Sequence, residues 1–176
     1  MRRVGTAAIV AGMVAWGCGP MVGGGGRGPG GPGGPGMDPL HTEYLNSGTA
    51  NGIPGFTQAV RVGQMVYISG QVALDDEGLV VGAGDLRAQA AQVYANLTRT
   101  LASAGAVPSE VVKLTYYVVN LKPGDLAMLQ ELGSRFMPPR RLPAGVMVGI
   151  SALPRDSLLL AIDAVAIVRA EFRERP

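Results

Sequence analysis

The run Leu158-Leu159-Leu160-Ala161-Ile162, near the end of the chain, is apolar at every position and has no alternation that would give it a wet side. A strand of that kind is covered on both faces. Continued through Asp163 to Val168, it reads as the closing strand of a sheet whose one face lies under helices. Two helices are available upstream. Asp85 is placed as an N-cap ahead of Leu86, Ala90, Val93, Leu97, Leu101 and Ala104, which recur at helical spacing until Gly105 stops them. Asp125 caps a second helix with Leu126, Leu129, Leu132 and Phe136 as its apolar stripe, and Pro138 and Pro139 end it.

The remaining periodic segments are strands. Val60 to Val62 and Met65 to Ser69 flank a hairpin-type turn at Gly63-Gln64, and Val72 to Leu74 runs on into a loop with Asp75-Asp76-Glu77-Gly78. Val111 to Leu121 is β-branched and aromatic. Val146 to Ser151 and Leu158 to Val168 are joined around Pro154-Arg155-Asp156. The order ββαβαββ predicts an α+β domain over residues 41–176, with two helices on one face of one mixed sheet. Helices then cover one side of the closing strand, and its other side requires a second subunit.

Ahead of the domain the chain changes character. Met1-Arg2-Arg3 is basic, and Val4 to Trp16 is apolar but shorter than the ~20 residues that span a bilayer. Ala15-Trp16-Gly17-Cys18 follows and resembles a bacterial lipobox, so residues 1–17 are expected to be a signal peptide and Cys18 the lipidated residue. A plain secretory signal is the other reading. Gly19 to Pro39 is rich in Gly and Pro and cannot bury enough apolar surface to order itself, so residues 18–40 read as a disordered tether. A coil of ~20 residues reaches about 25 Å. Gly19 after the cysteine favours an outer-membrane lipoprotein facing the periplasm.

Charge and rare residues narrow the chemistry. The full chain has 15 Lys and Arg against 13 Asp and Glu; without Arg2 and Arg3 the basic count falls to 13 and the two balance. Nothing in that balance favours nucleic acid, and the only membrane partner expected is through the lipid. Cys18 is the one cysteine, which excludes an internal disulfide and a cysteine-based zinc site; His41, the one histidine, reads as a surface residue. No metal or cofactor is implied.

Five segments carry a resemblance: Phe56-Thr57-Gln58-Ala59-Val60, Val66-Tyr67-Ile68-Ser69-Gly70-Gln71, Pro143-Ala144-Gly145-Val146-Met147-Val148, Ala152-Leu153-Pro154 and Ile162-Asp163-Ala164-Val165-Ala166. In this order and spacing they resemble the RidA (YjgF/YER057c/UK114) family, small trimeric proteins that hydrolyse reactive enamines and imines in clefts between subunits. The resemblance implies the chorismate-mutase-like fold and a homotrimer. It matches Asp163 to the family's glutamate, thought to activate or orient water; a strand-end carboxylate satisfied by backbone donors is the alternative. Ser69 and Gly70 match a ligand-contacting segment. Phe56 stands where tyrosine is usual, Lys122 where asparagine is usual, and Met147 where a small or polar residue is common.

Gly145 is the sharpest departure, because the family's Pro-x-Arg segment places there the arginine that clamps a substrate carboxylate. A glycine offers no bidentate fork. Related subfamilies without the arginine keep Pro-Ala-x-x-x-Val-Gly, as does the stretch from Pro143 to Gly149. Lys122, Arg140 and Arg141 are alternative cations or simply solvated, with Lys122 ranked first. Two functions follow: a hydrolase of small enamines or imines with an altered site, or a non-catalytic trimer that binds a small molecule, either an amino-acid-derived imine or a larger apolar compound.

The N-terminal order generates its own test. Two or more acyl chains anchor a protein stably at about 0.8 kcal/mol per buried CH₂. Cys18→Ser is therefore expected to move the protein from the membrane to the soluble fraction, and unchanged fractionation would contradict lipidation.

Overall fold

A computed structural model describes residues 41–48 and 52–169, so the expectations for the signal segment, Cys18 and the tether lie outside the described residues. Six strands form one sheet: β1 (Thr42–Leu45), β2 (Ala59–Val62), β3 (Met65–Val72), β4 (Val111–Val119), β5 (Ala144–Ile150) and β6 (Leu160–Ile167). Their spatial order is β1-β2-β3-β6-β4-β5. Only β4 and β5 run parallel, and α2 makes the crossover between them. The helices are α1 (Leu86–Ser103) and α2 (Asp125–Phe136). Among the described residues no helix is long and apolar enough to cross a membrane.

Two features differ from the sequence reading. The strand β1 is additional, making the order βββαβαββ; its four residues pair antiparallel with β2, from Thr42↔Val62 to Leu45↔Ala59. So short a segment is held by pairing rather than by any local pattern. Asp125 is also not the cap of α2. Gly124 takes that position, while the Asp125 carboxylate accepts the Lys122 N–H at 2.7 Å and braces the preceding turn. The first helix follows expectation: the Asp85 carboxylate accepts from Arg87 N and Ala88 N, and Gly105 leaves the helix at φ 71°.

The closing strand lies in the middle of the sheet, between β3 and β4. Leu160, Ile162, Ala164 and Ala166 face the helices and are buried. The alternate positions face away: Ala161 is buried between its neighbours Val72 and Tyr117, Asp163 and Val165 are half-buried, and Ile167 is exposed. One chain thus covers one face of this strand and leaves most of the other open. Buried polar side chains lock the helix layer on. Gln89 donates to Gly82 O and Ser157 O and accepts from Leu159 N, while Asn96 donates to Val72 O and Leu74 O.

The two helices meet closely at one point. Tyr94 of α1 sets its hydroxyl against Gly133 of α2, where an added Cβ would lie 2.8 Å from the phenol oxygen. That oxygen is bonded to Tyr116 Oη at 2.9 Å and lies 3.3 Å from Leu129 O, and the ring packs on Phe136 at 5.2 Å between centroids. A ring held this way cannot swing aside. Gly133→Ala favours the isolated helix by ~1 kcal/mol, yet overpacking costs typically 1–3 kcal/mol. Net destabilisation of about 1 kcal/mol or more is expected in chemical denaturation; an equal or higher midpoint would show that the contact yields.

Candidate functional site

The residues singled out in the sequence form two groups. The first surrounds Asp163 on the sheet face without helices. Register places Thr115 beside it on β4, and the Tyr117 hydroxyl donates to Asp163 Oδ2 at 3.1 Å. On its other side β3 bulges between Ile68 and Gln71, so the backbone of Ser69 and Gly70 passes next to Asp163. Ser69 Oγ donates to Gln58 O at 3.3 Å. Loss of hydration, reinforced by the Asp163 carboxylate, raises the Tyr117 phenol above its ordinary value, so it keeps its proton and donates at neutral pH. Asp163 Oδ1 has no protein donor among the described residues and can accept from water.

The second group lies across the sheet. Gly145 and Met147 are register partners of Leu114 and Tyr116, which point to the helix side. With α2 they line a cavity of about 530 Å³, within the ordinary range for small-molecule pockets. Its wall is mainly Leu126, Leu129, Met137, Leu142 and Met147, with Tyr116, Gln130 and Ser134 as the polar side chains and no charged residue. Burial raises both the Tyr94 and Tyr116 phenols, partly offset at Tyr116 by the hydrogen bond the two hydroxyls share, so neither ionises near neutral pH. A Cβ at Gly145 would meet only Leu114 O, at 3.5 Å, so the backbone there admits a side chain that the sequence does not provide.

One chain does not join the two groups. Ser69 and Gly70 on β3 are three strand spacings from β5, about 14 Å, and Asp163 and Gly145 occupy opposite faces. Phe56 is exposed in the loop before β2. Lys122, Arg140 and Arg141 are exposed and none lines the cavity. His41 is on the surface, 3.3 Å from Glu43. Among the described residues no cluster of three His, Cys, Asp or Glu side chains could hold a metal. Thr115, Tyr116, Tyr117, Gln130 and Ser134 were not anticipated. The pair Tyr116-Tyr117 carried a signal, since adjacent residues of a strand send one hydroxyl to each face.

Comparison with known proteins agrees with this architecture. The family model described as Endoribonuclease L-PSP matches residues 49–168. The chain is 40% identical to Protein DfrA of Myxococcus xanthus over 64% of its own length and 84% of that protein. It is 30% identical to a human protein named 2-iminobutanoate/2-iminopropanoate deaminase, over 74% of this chain and 93% of the relative. The crystal structure of RidA from an Antarctic Psychrobacter superimposes with a TM-score of 0.64 at 27% identity, covering 72% of this chain and 99% of that one. With two helices over one mixed six-stranded sheet and a family match across most of its length, the chain belongs to the endoribonuclease L-PSP (RidA/YjgF) family.

Proposed function

We propose that this protein is a RidA-type hydrolase of small imines or enamines whose pocket suits apolar molecules better than short 2-imino acids. The observation that carries the reading is the uncharged cavity beside Gly145 and Met147. The human relative's name supplies the reaction class, addition of water to a C=N bond with release of ammonia. In that reaction Asp163, fixed by Tyr117, takes a proton from water at its open oxygen, while the cavity holds the apolar body of the substrate. The absent arginine removes the partner a carboxylate would need.

The reading includes a homotrimer. Tyr44, Met65, Tyr67, Val146, Val148 and Ile167 are exposed on the sheet face without helices, an apolar area that a monomer seldom leaves open. Packing the β5 edge of one subunit on the open face of the next would bring the Asp163 group of one toward the Gly145 cavity of the other, uniting two half-sites that one chain keeps apart. The lipid at Cys18 would hold that trimer at the outer membrane. A binding trimer without turnover is the second reading, favoured by the same lack of a cation.

Two measurements test the proposal. Residues 41–176 are expected to scatter light with the mass of a trimer at micromolar concentration; a monomer would remove the shared site. In a coupled assay generating 2-iminobutanoate, the protein should be on the order of 10²-fold or more slower than an arginine-bearing relative, since a charged hydrogen bond contributes ~1.5–3 kcal/mol and the fork makes two. It should act faster on the imine formed from a bulky apolar amino acid. Equal rates on 2-iminobutanoate would refute the altered preference, and no acceleration with any imine would leave the binding reading.

A further inference from the structure

The two side-chain hydroxyls of the cavity wall, on Ser134 and Tyr116, have one sense. Ser134 Oγ donates its proton to Glu131 O at 2.6 Å, so toward the cavity it offers only lone pairs. Tyr116 reaches the same condition through its neighbour. The Tyr94 hydroxyl lies within hydrogen-bond distance of both Tyr116 Oη and Leu129 O, and a carbonyl can only accept. Both bonds form together only when Tyr94 donates to Leu129 O and Tyr116 donates to Tyr94. Tyr94 is buried, so this order leaves no buried hydroxyl proton unpaired. Pro139 and Pro143 in the wall have no backbone N–H, and the wall contains no Lys or Arg. The Gln130 carboxamide alone can turn either way.

We infer that the cavity recognises a small apolar molecule through a protonated amine or iminium nitrogen, whose N–H groups are accepted by Tyr116 Oη and Ser134 Oγ. The inference rests on the cavity being the ligand site proposed above, and names the charge its ligand carries. Tyr116 and Ser134 are then specificity-determining residues, and Tyr94 is a positioning residue that sets the direction of the Tyr116 proton. A carboxylate in the same place would face lone pairs on both sides and would lose its hydration without a donor.

The test compares 2-phenylethylammonium with 3-phenylpropionate, which share an apolar body and differ in the head group, by calorimetric titration of the full chain in detergent at neutral pH. The ammonium is expected to bind on the order of 10-fold or more tightly than the carboxylate, the typical worth of a hydrogen bond to a charged group. Tyr116→Phe with Ser134→Ala should bring the two affinities within about 3-fold of each other. Tyr94→Phe, which keeps the ring and removes the acceptor, frees the Tyr116 proton to turn inward and should strengthen carboxylate binding. Equal or tighter carboxylate binding by the wild type, absence of saturable ammonium binding at millimolar concentration, or a preference that survives the double substitution would each overturn the inference. Because the readout is binding, an inactive protein that still selects the ammonium supports this recognition and removes only the hydrolase reading.

Discussion

Between Leu160 and Ile167 the chain pairs with β3 on one side and β4 on the other, and its helix-facing side chains fill the space under α1. Complete burial of Ile162 alone stabilises by roughly 1.5–3 kcal/mol, and the alanines at 164 and 166 keep the helix layer close. Asp163 is the one ionisable residue in this strand and lies on the face the helices do not cover. Shifted by one position, it would enter the core, where an unpaired carboxylate costs far more than any single contact returns. Strand register therefore decides where the charge can be. The uncovered face is where Asp163, Tyr117 and the β3 bulge meet, so the proposed water-positioning group and the exposed apolar residues occupy the same side of the sheet.

The cavity depends on a different constraint. α2 is drawn onto Tyr94 at Gly133 and spans the crossover from β4 to β5, while β5 opposite it has no side chain at position 145. Close contact at one end and missing volume at the other leave a space bounded by Leu126, Met137 and Leu142. An arginine at 145 would project from this same backbone, so the absence of a cation and the room in the cavity have one cause. Helix packing, through Gly133, and strand composition, through Gly145, thus combine to give a pocket that is both apolar and open.

Most of the fold was legible because its long elements repeat a clear period. The helix from Leu86 was bounded by Asp85 and Gly105, and the strand from Val111 by its β-branched residues. The parts missed depend on distant partners. Thr42–Leu45 is a strand only because β2 offers it an edge, and Asp125 turns back to Lys122 because Gly124 already occupies the cap position. The candidate site could be read from the sequence as a set of residues, and their arrangement could not. Asp163, Ser69 and Gly145 stand at recognisable places in the sequence, but the strand order β3-β6-β4-β5 that separates them is set by long-range pairing. The same holds for Tyr116, whose meaning comes from Tyr94, 22 residues earlier.

An apolar cavity with a few oriented hydroxyls discriminates by a different balance from one built on an ion pair. An arginine fork offsets the dehydration of a carboxylate with two charged hydrogen bonds, and the rest of the ligand can be small. Without it, the same carboxylate would enter a region of low polarity with its hydration lost and nothing returned. Affinity must then come from apolar area, at roughly 25 cal/mol per Å², which favours a larger body over a short imino acid. Directional lone pairs on Tyr116 and Ser134 add selection to that affinity, because a donor gains where an acceptor of equal size loses. Under the proposed function, glycine at 145 and the cavity wall around it select by size and hydrogen-bond sense rather than by charge, and the Asp163 group across the sheet would position water.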